Sequence, residues 1–149
     1  MIEIRNIDKT PLNKVGLIKL IRKYSKGKKD ILLSFDGRIS CFGDYNYNSE
    51  KKRHEIRIST KVSQFKQDPA AKIYDLISTI LHELKHLQQQ EEVGTKTFYS
   101  KHFSYNIDIK LEEASDYFSV REAEARIFEE KNLLDAVNFY WKSCKDVVE

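Results

Sequence analysis

Residues 68–90 read DPAAKIYDLISTILHELKHLQQQ, and this stretch decides the fold. Asp68-Pro69 is a helix start: the aspartate caps, and proline fits the first helical position because its missing N–H would have no partner there. Ile73, Leu76, Ile77, Ile80, Leu84 and Leu87 then recur at three- and four-residue spacing, the apolar stripe of a helix running to about Gln90. Gly94 is placed to close the turn behind it.

Within that helix stands His82-Glu83-Leu84-Lys85-His86. At about 100° per residue, positions i and i+4 lie one turn apart on the same face. Two imidazoles so placed can share a Zn²⁺, and the intervening Glu83 sits beside the metal, where it can act as general base. On the helical wheel His82 and His86 point away from the apolar stripe, on the side of Asp75, Ser78 and Thr79, so they face a cleft or solvent. Catalytic zinc takes three protein ligands and keeps one position open. Two downstream segments offer the third: Arg121-Glu122-Ala123-Glu124-Ala125-Arg126, and Glu112-Glu113 with Asp116. Glu122 and Glu124 lie about 200° apart on a helix, so only one of them can reach the metal.

Working outward, Ile2–Ile7 alternates like a short strand, and Thr10-Pro11 reads as a cap and first turn for a helix carrying Leu17, Leu20, Ile21 and Tyr24, with Gly27 as its stop. Ile31–Phe35 and Arg38–Phe42 flank Asp36-Gly37, the pattern of a two-residue hairpin. A polar loop through Tyr45 and Tyr47 leads to His54–Thr60, a half-exposed strand expected at a sheet edge. After the long helix, residues 95–111 read as irregular and aromatic-rich. A helical region, expected to carry a break, follows from about Leu111 to Lys145. With five Gly and two Pro in 149 residues there is little room for a linker, so residues 1–149 read as a single α+β domain.

The H-E-L-x-H-x-x-Q stretch followed by an E-x-E-A helix resembles the gluzincin branch of the zincin metallopeptidases, in particular small enzymes of phages and mobile elements. The resemblance covers roughly residues 69–130. It implies a small, mostly antiparallel sheet packed on the HExxH helix, with C-terminal helices. It implies that Glu122 is the third zinc ligand and Ala125 the small residue that lets the helices approach; Glu124 is the runner-up and Glu112 the third choice. It makes His54–Thr60 the strand lining the cleft, where an extended peptide adds by β-pairing. Tyr99, His102 and Tyr105, in the connection between the two ligand helices, become candidate oxyanion helpers. In one place the sequence departs from the pattern: Arg126 stands four residues after Glu122, where many gluzincins carry the Asp or Asn that braces a zinc-bound His. Asp116 and Asp75 are the candidates for that bracing.

The expected activity is therefore zinc-dependent peptide hydrolysis, with a peptide or protein as substrate. A non-catalytic zincin-derived binding module is the rival. A nucleic-acid binder using Lys26, Lys28, Lys29, Lys51, Lys52 and Arg53 with Tyr45 and Tyr47 is disfavoured by a net charge of only +3 and a pI of 8.7. No apolar run approaches a bilayer span, and Met1–Asp8 lacks the apolar core of a secretory signal. Two distant cysteines, Cys41 and Cys144, fit free thiols, so a cytoplasmic setting, bacterial or virus-infected, is expected.

Overall fold

In the computed structural model, which describes residues 1–26, 30–63, 68–93 and 111–145, four strands and three helices follow one another. They are β1 (Ile2–Arg5), α1 (Lys14–Ser25), β2 (Asp30–Phe35), β3 (Gly43–Asn48), β4 (Arg53–Ile58), α2 (Pro69–Val93) and α3 (Leu111–Lys145), with 3₁₀ turns at Ile7–Lys9 and Thr60–Ser63. The strand order across the sheet is β1-β2-β4-β3. The β1–β2 and β2–β4 pairings are parallel, and only β3–β4 is antiparallel. The sheet is thus mixed and mainly parallel, not mostly antiparallel. The alternation that marks each strand is satisfied in register: Ile4, Leu33 and Ile56 align across three strands and are buried, as are Phe35 and Ile58. The opposite face carries Glu3, Arg5, Glu55, Arg57 and Asp44, paired largely with one another. Arg53, the last of the second basic cluster, is held by Glu55 at 2.8 Å. Lys28 and Lys29 of the first cluster lie outside the described residues.

The Asp36-Gly37 hairpin does not form. Both edges of β2 are already taken by β1 and β4, so no room remains for residues 38–42 to fold back beside it. Gly37 does not adopt positive φ, and the Asp36 carboxylate instead binds the Arg38 backbone N–H at 2.9 Å and its guanidinium. The antiparallel partners are β3 and β4, joined by a turn in which Lys52 takes φ 54° and the Asn48 side chain accepts from Lys51 N. The segment through Tyr45 and Tyr47 is therefore strand, and β4 is an interior strand rather than an edge.

Helix α1 starts three residues later than its proline suggests. Thr10 closes the preceding 3₁₀ turn, and Asn13 caps the helix by accepting from Gly16 N at 2.9 Å. Asp68 does cap α2, accepting from Ala70 N at 3.0 Å. The stop residues Gly27 and Gly94 and the connection 95–110 lie outside the described residues. Helix α3 runs unbroken for 35 residues, since residues 111–145 contain no Gly or Pro.

The core lies where the helices cover the sheet. Every residue of the α2 stripe is buried, together with Leu81, as are Leu17, Leu20, Ile21 and Tyr24 of α1 and Ala125, Ala136 and Tyr140 of α3. Helix α2 is enclosed on two sides, its apolar stripe against the sheet and its histidine face against α3. Among the described residues no helix is long and apolar enough to cross a membrane, and both cysteines are free.

Candidate metal centre

His82 and His86 stand one turn apart on α2, their ring centroids 5.0 Å apart. Glu122 reaches across from α3 and meets both: Oε2 lies 3.0 Å from His82 Nε2, and Oε1 lies 2.7 Å from His86 Nε2. Ala125, three residues after Glu122, is fully buried. One donor atom from each of the three residues falls within 4.8 Å of the others, so the cluster could hold a metal ion.

The chemistry of the donors fits a cation. His82 Nδ1 faces Glu129 Oε2 at 3.2 Å, and His86 Nδ1 faces Gln89 Oε1 at 2.8 Å. With the ring proton on Nδ1, donated to these acceptors, each Nε2 lone pair would face the Glu122 carboxylate. Three electron-rich atoms facing one another are an unfavourable set without a shared proton or a cation between them.

The bracing groups are themselves held. Ser78 Oγ donates to the other Glu129 oxygen. Arg121 Nε donates to Gln89 Oε1 at 3.3 Å, while Gln89 Nε2 donates to Arg121 O and to Glu124 Oε2. Glu124 is thus occupied with Gln89 at 2.8 Å and is not part of the cluster. The side chains of Glu112, Glu113 and Asp116 lie outside what is described, as do Tyr99, His102 and Tyr105.

Electrostatics separate the two histidines. The hydrogen bond to Glu129 raises the His82 pKa above the ordinary histidine value, whereas burial lowers that of His86. Burial pushes Glu129 up, but its hydrogen bonds from His82 and Ser78 outweigh this and hold it below the usual carboxylate range. Glu83 has its carboxyl pushed up to about 8 by burial, against the opposing pull of His82.

Glu83 lies at the wall of a cleft of about 280 Å³ lined by Phe42, Gly43, Thr79, His82, Glu122, Arg126 and Glu129. Gly43, the first residue of β3, closes against this wall. A Cβ there would stand 3.0 Å from Thr79 Cγ2 and 3.3 Å from Glu83 Cγ. The strand bordering the cleft is therefore β3 rather than His54–Thr60. His54 points into the interior instead, with Nδ1 2.7 Å from Tyr45 Oη and Nε2 2.5 Å from Glu91.

Three contributors escaped the sequence reading. Glu129 lies seven residues after Glu122, two turns along the same helix, and meets His82 Nδ1; the Asp116 side chain lies outside what is described. Gln89 was visible as the Q of the motif but had no assigned partner. Gly43 carries no chemical signature of its own. Comparison with protein-family models, with curated proteins and with solved structures finds no match.

Proposed function

We propose that this chain is a zinc-dependent peptidase, with His82, His86 and Glu122 as metal ligands and Glu83 as general base. The observation that carries the proposal is the convergence of two Nε2 atoms and one carboxylate beside a buried glutamate at the wall of an open cleft. Two imidazoles and a carboxylate are a donor set that Zn²⁺ accepts, and three protein ligands leave one position for chemistry.

His82, His86 and Glu122 would hold a zinc ion, which would supply Lewis acidity toward a scissile carbonyl and bring the pKa of an attacking water toward about 7. Glu83 takes the proton from that water and returns it to the leaving amine. Without a metal, burial pushes the Glu83 carboxyl up to about 8, which keeps it protonated at neutral pH; a neighbouring divalent charge would draw it back to the ionised form that a general base requires. Glu129 and Gln89 hold the two imidazoles in the tautomer that presents Nε2 to the ligand position. The peptide enters the cleft beside Phe42 and Gly43, where β3 begins. Arg126 adds a positive charge to the cleft lining.

Elemental analysis of protein purified without added metal tests the ligand set, with about one zinc per chain expected. A peptide library then tests turnover. Zinc-dependent cleavage that disappears in Glu83→Gln, with zinc retained, is the expected result. A zinc-loaded protein that cleaves nothing would leave a binding module in place of the enzyme, and a protein that takes up no zinc would remove both.

A further inference from the structure

Helix α3 has a second face, turned away from the cleft. Among the described residues, four large apolar side chains stand exposed on it: Val120 (55%), Ile127 (63%), Leu134 (69%) and Trp141 (43%). They recur at every seventh position. A heptad spacing drifts only about 20° per repeat around an α-helix, so the four form one stripe roughly 30 Å long. Ala125, Ala136 and Tyr140, on the far side of the helix, face the core. Single exposed apolar residues are ordinary, but an aligned row of them marks a contact surface.

Charge along the stripe says what that contact is. Glu130 and the adjoining Lys131 lie at its middle, both exposed, between Ile127 and Leu134. Lys142 and Lys145, also exposed, make its C-terminal end basic. We infer that this face pairs with the same face of a second copy of the chain, the two α3 helices running antiparallel about a two-fold axis beside Glu130 and Lys131.

In that register Ile127 faces Leu134 of the second copy, the smaller Val120 faces the larger Trp141, and Glu130 faces Lys131. Symmetry makes every contact twice. A parallel pairing would instead set Glu130 against Glu130 and Lys131 against Lys131, like charge on like, so the charge pattern selects the antiparallel arrangement. The slow drift of the stripe matches helices crossing at about 20°. Glu122 lies about 140° around the helix from Ile127, so the metal centre stays open in the pair. The inference does not depend on the proposed activity.

Light scattering and sedimentation of the full chain test it. The chain mass is 17.6 kDa, and the dimer of twice that mass is expected at protein concentrations up to about 100 μM, a range that covers micromolar association. Ile127→Glu and Leu134→Glu are expected to give monomers with unchanged far-ultraviolet circular dichroism, because both positions are exposed. Glu130→Lys and Lys131→Glu should each weaken association by roughly 3- to 10-fold, and the double variant should recover it. A monomeric wild type at that concentration, or a dimer insensitive to Ile127→Glu and Leu134→Glu, overturns the interface. A double charge variant that fails to recover overturns the antiparallel register.

Discussion

His82 Nδ1 and Glu129 Oε2 lie 3.2 Å apart, joining α2 to α3 at the back of the cluster, while the other Glu129 oxygen accepts from Ser78. This contact fixes which nitrogen of His82 is available to a ligand. It also replaces the acidic residue expected one turn after Glu122, where the chain has Arg126. Removing the brace as Glu129→Ala should weaken zinc binding by about 10- to 100-fold, read by competition with a chromophoric chelator. Glu129→Gln keeps an acceptor oxygen and should lose less. Equal affinity in wild type and Glu129→Ala would show that the contact plays no part in the site.

Glu122 and Glu83 should separate metal binding from chemistry. Glu122→Gln removes the one anionic donor and should lose most of the bound zinc. Glu83→Gln should keep the zinc and lower turnover by about 10²–10⁴-fold. Swapped outcomes, with zinc lost from Glu83→Gln and kept in Glu122→Gln, would exchange the roles of the two glutamates.

Zinc should also stabilise the fold, because the cluster joins two helices that separate on unfolding. At a free zinc concentration a thousand times the dissociation constant, the gain is about 4 kcal/mol. Calorimetry with and without a chelator measures it, and the shift should vanish in Glu122→Gln. A wild-type melting temperature indifferent to chelation would mean that no metal links α2 to α3.

Gly43 is expected to be intolerant of a side chain. The added methyl of Gly43→Ala would press on Thr79 at 3.0 Å and on Glu83 at 3.3 Å, costing about 1 kcal/mol of stability and displacing the base. The same substitution should lower kcat more than it lowers stability, as seen by comparing rates well below the melting point. An unchanged kcat would place β3 too far from the chemistry to matter.

Gly16 makes a purely structural comparison. A Cβ there would lie 2.6 Å from Cys144 Sγ and 3.0 Å from the Tyr140 ring, where α1 meets α3. Alanine gains up to about 1 kcal/mol in helix propensity, but overpacking costs about 1–3 kcal/mol, so Gly16→Ala should be net destabilising in chemical denaturation. Zinc affinity, measured on the folded protein, should stay unchanged.

Local patterns carried a good part of this molecule. The three- and four-residue spacing from Ile73 to Leu87 specified α2 and its buried face, because helical periodicity is written into one segment. The Asp68 cap and the one-turn spacing of His82 and His86 are equally local. That only one of Glu122 and Glu124 can face the histidines is local too, because the helix turns them in opposite directions; which of the two does so depends on how α3 packs on α2.

What the sequence could not determine was which segments lie side by side. Asp36-Gly37 has the chemistry of a hairpin turn, yet β2 spends both edges on parallel partners distant in sequence, and β3 takes the antiparallel pairing with β4. Glu122 is one glutamate among several in the sequence, and only the packing of α3 on α2 brings it within reach of both imidazoles. Glu129, Gln89 and Gly43 acquire their places from the packing of α3 and β3 on α2. Residues within one helix inherit their geometry from its pitch, whereas contacts across helices and strands depend on a sheet order and a packing distance that no single segment encodes.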